Sequence, residues 1–335
     1  MGFIKFLNKA FRLCGGSRNN HETAEVSPEC MTAYPKNIIS WSGTPTETYH
    51  WWPMKDMGSS PYGYRNNLYE INGGLDKYDV LFKTKAVEYQ KNHYYRSSNS
   101  KESDADWAGF CDCAATLSCL YEYPKNTVCV KYNNEEILFR PRDIETLMII
   151  ACHDMVDDHN FEFYGERYNY KSDDTGEPNP IALVDILKTI CQSDIPFAMD
   201  IAHKKAVWNY SYNNVNVYVT SIPPLVNTDK VLDLKSAGLT HLVYYNFIFQ
   251  SDAYPDKNLN IWGWSGNIVT LTGMHSKSGW LSEKHPDFIW RKYPINEICP
   301  GPCKINPEIS IQNVYEIYTS SLISDNISGI VNLSI

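Results

Sequence analysis

No run of about 18 apolar residues occurs in the chain, so no segment reads as a transmembrane helix. No Lys/Arg-rich face is present beyond a few basic residues in the first segment, and the formal net charge is −9, which argues against tracking the phosphates of a nucleic acid. Repeats at a fixed period and coiled-coil heptads are also missing. The ten cysteines follow no regular pairing spacing, so in 335 residues they permit disulfides without requiring them. What is abundant is aromatic. There are 24 Tyr and 9 Trp in a composition that is 43% hydrophobic, which describes a folded globular chain with an aromatic-rich β structure or a peptide-binding groove.

Residues 1–16 carry clear helical periodicity. At about 100° per residue, Phe3, Ile4, Phe6, Leu7, Ala10, Phe11, Leu13 and Cys14 fall on one half, and Lys5, Asn8, Lys9 and Arg12 on the other. That is a basic amphipathic helix, and its charges interrupt the apolar run that a secretory signal needs. It suits an in-plane peripheral membrane helix, with Cys14 open to palmitoylation, or a helix docked by its apolar face on the domain. Phe6 stands where a myristoylation signal wants Ser or Thr, so Gly2 is not expected to be modified. Without a signal peptide, a cytoplasmic or membrane-surface location is expected over a secreted one. Residues 17–40 are polar and read as a linker, with folded sequence expected from about Trp41.

Further along, DKYDVLFKTKAVEYQ predicts a helix over 76–90, and SSNSKESDAD (97–106) a polar loop. TVCVKY predicts a strand, Asn133-Asn134 a turn, and the segment from Asp143 a helix with that residue as N-cap. Asn179-Pro180 opens another helix, because Pro fits a first turn whose N–H would be unpaired anyway. Strands are expected from Pro196, Val207, His241 and Asn267, and a last helix in SIQNVYEIYTSSLI. Helices followed by a run of antiparallel strands predict an α+β fold. Residues 296–335 read as a C-terminal extension.

One stretch carries chemistry. In Trp107-Ala108-Gly109-Phe110-Cys111-Asp112-Cys113 the chain turns at Gly109, Asp112 is a candidate cap, and the following Ala/Leu run continues as a helix into a core. A cysteine there faces the positive end of a helix dipole, which favours the thiolate that attacks carbonyl carbon. The other reading is that Cys111, Cys113 and Cys119 are small buried hydrophobes. A helical cysteine followed far downstream by an antiparallel sheet bearing a histidine and a carboxylate or amide is the papain-like order.

Eight separated segments then resemble one family. They are GGLDKYD (73–79), WAGFCD (107–112), YPK (123–125), FYGERYN (163–169), Asn179-Pro180, PFAMDI (196–201), AVWN (206–209) and HPDFIW (285–290). Their types and order are similar to those of the oomycete transglutaminase elicitors and their bacterial relatives, over residues 41–295. The resemblance implies a papain-like, transglutaminase-like core with Cys111 as nucleophile on a helix packed against an antiparallel sheet. It also implies acyl transfer from a protein glutamine to an amine, usually lysine. The partners are then a protein with an exposed glutamine and an amine acceptor, and the chemistry needs no cofactor and no metal.

The other site residues are read less directly. Asp200 matches the family's strand Asp and is a candidate to orient a histidine, or a strand-end residue capping a turn. The family's histidine a few residues after Asn-Pro is Val184 here, which leaves His203 and His285 as candidate bases. Each also reads as an ordinary turn histidine. The family's Trp-Asn-Gln-Pro becomes Trp208-Asn209-Tyr210-Ser211. His153 and His159 have a spacing open to a metal, but no third ligand is evident. Cys299-Pro300-Gly301-Pro302-Cys303 reads as a structural turn, or as a small disulfide loop in an oxidising compartment. Deamidation by the same thioester, a papain-like cysteine protease, and a degenerate relative that binds protein through an aromatic groove are the competing functions.

Overall fold

The computed structural model describes residues 35–54, 68–95, 108–167, 176–201, 207–221, 238–323 and 329–332. The amphipathic segment 1–16, most of the 17–40 linker and His203 lie outside these. Among the described residues no helix is long and apolar enough to cross a membrane.

The fold is α+β. Among the described residues the α-helices are α1 Gly74–Phe82, α2 Ala86–Tyr94, α3 Cys111–Leu120, α4 Pro141–Ala151, α5 Pro180–Ile190 and α6 Ile311–Leu322. The strands are β1 Lys36–Ser42, β2 Val128–Tyr132, β3 Glu135–Phe139, β4 Val156–Gly165, β5 Phe197–Asp200, β6 Asn209–Tyr212, β7 Asn214–Ser221, β8 Leu239–Gln250, β9 Leu259–Thr270, β10 Gly273–Trp280, β11 Phe288–Pro294 and β12 Gly329–Asn332. They form a five-stranded sheet β1-β7-β8-β9-β10, a four-stranded sheet β4-β11-β5-β6 and a three-stranded sheet β12-β2-β3. All pairs are antiparallel except β12 with β2.

Two cores follow from the apolar patterns. Leu183, Val184, Leu187 and Ile190 recur at helical spacing on α5 and pack with Phe197, Met199, Tyr212 and Ile289 of the four-stranded sheet and Val215, Val217, Phe247 and Phe249 of the five-stranded one. The second core gathers Leu75, Leu117, Ile144, Leu147, Val128, Val130, Ile311, Val314 and Ile317 from helices and from β2. Between the two, Ala115 of α3 lies against Ala198, Phe288 and Trp290, which seats α3 on the four-stranded sheet.

Several expectations are corrected. The single helix over 76–90 is two, because Lys83 turns left-handed (φ 57°) and Asp79 accepts hydrogen bonds from Thr84 Oγ1 (2.7 Å), the N–H of Val87 (2.9 Å) and the N–H of Ala86, starting α2 afresh. The strand from Val207 divides at Asn213 into β6 and β7, which belong to different sheets. Asn213 is held there by its N–H to Gln250 O (3.1 Å), its carbonyl to Gly43 N (2.8 Å) and its Nδ2 to Asp252 (2.6 Å). The strand expected from Asn267 is the end of β9 and the turn into β10. Asp143 is not the N-cap of α4. Pro141 takes the first turn after Arg140, and Asp143 sits three residues in, accepting from the Arg140 N–H at 2.8 Å. Strand β1 already runs from Lys36, ahead of Trp41, and its Ile39 is buried in the core that contains α5. The stretch read as a C-terminal extension belongs to the core, with Cys303, Ile309, Ile311, Val314 and Ile317 at 0–2% exposure.

Candidate functional site around Cys111

Cys111 opens α3, with Phe110 as N-cap. Asp112, expected as the cap, is instead the second helical residue, and no side chain caps this helix end. The first N–H groups of α3 therefore face outward from an uncapped terminus. The approach segment is fixed from outside, by the Phe110 N–H to Trp51 O (2.7 Å), the Met54 N–H to Ala108 O (2.9 Å) and a bridge between Pro53 and Gly109. Glycine is required at 109 because a Cβ would lie 2.2 Å from the Trp51 ring. Trp51 meets Trp208 edge-on, centroids 5.3 Å apart, so two indoles stand beside the start of the helix.

The Cys111 thiol donates to Val207 O and receives the Asn209 Nδ2 donor, both at 3.6 Å. Asn209 is paired with Asp200 across β5 and β6, and its Oδ1 accepts from the Trp290 Nε1 at 2.9 Å. Asp200, fully buried at the end of β5, accepts from the Trp208 N–H at 3.1 Å. Burial pushes the Cys111 thiol up; hydrogen bonds from the backbone and side chain of Asn209 oppose this, and the charges of Asp112 and Asp200 add to it.

The structure thus brings Cys111 and Asp200 together and adds Asn209, which the sequence offered only as part of an altered motif. Val184 is a core residue of α5. His285 pairs with Glu177 and Trp280. Its Nε2 lies 2.9 Å from Glu177 Oε2, and its ring stacks on Trp280 at 5.3 Å. Asp287, two residues on, is fully buried and donates its N–H to Asp200 O at 3.1 Å.

On the other side of α3 is a cluster that sequence reasoning missed. His153 sits in the 3-10 turn Cys152–Asp154 after α4, and its Nε2 is 3.6 Å from Cys113 Sγ and 3.6 Å from Asp112 Oδ2. The third partner sought for His153 comes from α3, and His159 lies exposed on β4. No signal in the sequence links residues 112–113 to 153, since the pairing depends on how α3 and α4 pack. None of the protein-family models, curated proteins or solved structures compared with the chain matches it.

Proposed function

We propose that the chain is a cysteine acyltransferase that joins a protein glutamine to a primary amine, as its resemblance to the transglutaminase elicitors implies. The observation that carries this reading is the convergence of Asn209 and Asp200, on adjacent strands, upon a cysteine at the uncapped start of a sheet-packed helix. An amide and a carboxylate beside a helix-start cysteine support the papain-like reading, which needs a histidine base in addition.

In the proposed reaction the Cys111 proton passes to a histidine base and the thiolate attacks the glutamine carboxamide carbon. The N–H groups opening α3 receive the oxyanion, the C–N bond breaks, and ammonia leaves with a proton from the base. A lysine amine then attacks the thioester and gives a proton to the base, the C–S bond breaks and the thiolate returns. Water in place of the amine gives deamidation. His203 and His285 are the two candidate bases; we assign His203, three residues after Asp200 in sequence, with Asp200 as its orienting carboxylate. Trp51 and Trp208 supply an apolar wall for the substrate side chain.

Incubation of the purified protein with a labelled primary amine and a glutamine-rich protein tests this. Incorporation is expected, and Cys111→Ala and His203→Ala each abolish it. Peptide cleavage without incorporation would replace the proposal with a cysteine protease, and neither activity would leave a protein-binding module.

A further inference from the structure

Two cysteines at the start of α3 look in opposite directions. Residues 111 and 113 are about 200° apart around a helix, so Cys111 meets β6 while Cys113, 1% exposed, meets the turn that carries His153. We infer that Asp112, Cys113 and His153 form a binding site for a borderline-soft divalent cation, of which zinc is the type.

The first support is geometric. The Cys113 Sγ, His153 Nε2 and Asp112 carboxylate oxygen all lie within 4.8 Å of one another, with S···N and N···O separations of 3.6 Å each. Zinc bonds of about 2.3 Å to sulfur and 2.0–2.1 Å to nitrogen or oxygen, at tetrahedral angles, place S and N about 3.5 Å apart and N and O about 3.4 Å apart. A catalytic relay would use different imidazole nitrogens for thiol and carboxylate. Here one nitrogen faces both, so the three groups converge on a point. The Glu177–His285 separation of 2.9 Å is by contrast that of a direct hydrogen bond.

The second support is chemical. A thiolate, an imidazole and a carboxylate suit zinc and exclude magnesium and calcium, which take oxygen ligands. The two anionic ligands balance a 2+ charge. On binding, the Cys113 S–H bond breaks, its proton passes to solvent, and the sulfur replaces a water of the hydrated ion. Three protein ligands leave a fourth position to water. The ion reaches the site from the solvent side, where the Asp112 and His153 side chains are 46% and 32% exposed.

The surroundings hold the ligands in place. Lys304 donates its Nζ to His153 O and its N–H to Asp154 Oδ2, both at 2.9 Å, bracing the 3-10 turn from the C-terminal part of the chain. The Cys152 thiol donates to the Cys113 carbonyl at 3.7 Å. A bound ion would tie the helix that bears Cys111 to the turn after α4, and the inference holds whether or not Cys111 is a nucleophile.

Titrating the reduced full chain with zinc against a chromogenic chelator tests this. One tight equivalent is expected, weakened by more than about 100-fold in His153→Ala and in Cys113→Ser, beyond the cost of losing an outer partner. Cobalt in place of zinc should show a thiolate charge-transfer band that survives Cys111→Ser and Cys299→Ser and disappears in Cys113→Ser. His153→Ala removes a part-exposed side chain and so remains decisive if Cys113→Ser fails to fold. No tight equivalent, or one that His153→Ala leaves unchanged, would overturn the inference.

Discussion

Trp290 on β11 donates its indole N–H to the Asn209 side chain on β6, and the same side chain donates to the sulfur of Cys111. One amide therefore links the four-stranded sheet to the helix that carries Cys111. In Asn209→Ala the buried Trp290 N–H loses its acceptor, which costs about 1–3 kcal/mol. In Asn209→Asp the acceptor stays, but a carboxylate replaces the donor facing Cys111. Urea unfolding should register a loss in the Ala variant and little in the Asp variant, while amine incorporation falls in both. Full activity in Asn209→Asp would separate this residue from the chemistry.

Gly109 tests whether the Trp51 wall positions Cys111. An added methyl meets the Trp51 ring at 2.2 Å and its carbonyl at 3.1 Å. Gly109→Ala should cost about 1–3 kcal/mol through overpacking and displace the start of α3. Combining it with Trp51→Ala removes the clash, so a double-mutant cycle should show the two changes coupling. Additive losses would place the strain elsewhere.

The Lys77 ammonium lies 2.6 Å from Asp143, with the side chains 10% and 5% exposed. It also donates to Leu138 O at 2.9 Å, so α1, β3 and α4 meet at one charge. Lys77→Met leaves Asp143 buried with Arg140 as its remaining cation, and about 3 kcal/mol should be lost in denaturant unfolding. Adding Asp143→Asn removes the stranded charge and should recover part of that loss.

Glu145 on α4 gives a pH signature. Burial pushes its carboxyl up to about 7, against the His50 backbone N–H, Arg142 and the Tyr123 hydroxyl. Its folded pKa exceeds its unfolded one, so the folded state holds the proton more tightly. The stabilisation is full below pH 4.5 and is lost as pH rises to 7. His50, lowered to about 4 by burial and then by Arg142, acts in the opposite sense between pH 4 and 6.5, so the two partly cancel in the wild type. The clean readout is the stability of Glu145→Gln minus that of wild type, which should grow from pH 4.5 to 7 by up to roughly 3 kcal/mol and then level off. A difference independent of pH would mean that Glu145 does not titrate in this range.

What local sequence dictates was legible. Asn179 caps α5 through the N–H groups of Ile181 and Ala182, Pro180 takes its first turn, and Asn133 and Asn134 both adopt the left-handed conformation that a tight hairpin needs. Cys111 opens a helix as the Gly-aromatic-Cys run suggested. What tertiary contacts decide was not legible. The break at Lys83 depends on the Asp79 side chain reaching forward to Ala86 and Val87, and the division at Asn213 depends on partners near residues 43 and 250. Periodicity cannot register either. The cluster at Asp112, Cys113 and His153 was hidden for the same reason, its members lying on two helical elements about forty residues apart in sequence.

The burial of α6 against α4 has a consequence for how the protein is made. The helical core needs Ile311, Val314 and Ile317 to cover Ile144 and its neighbours, yet about 160 residues separate Ala151 from Ile311. At about 5–20 residues per second of synthesis, the first four helices wait roughly 8–32 s for their cover. During that interval the apolar face of α4 is exposed on the ribosome, and a nascent chain stalled before residue 311 would present it to any chaperone within reach.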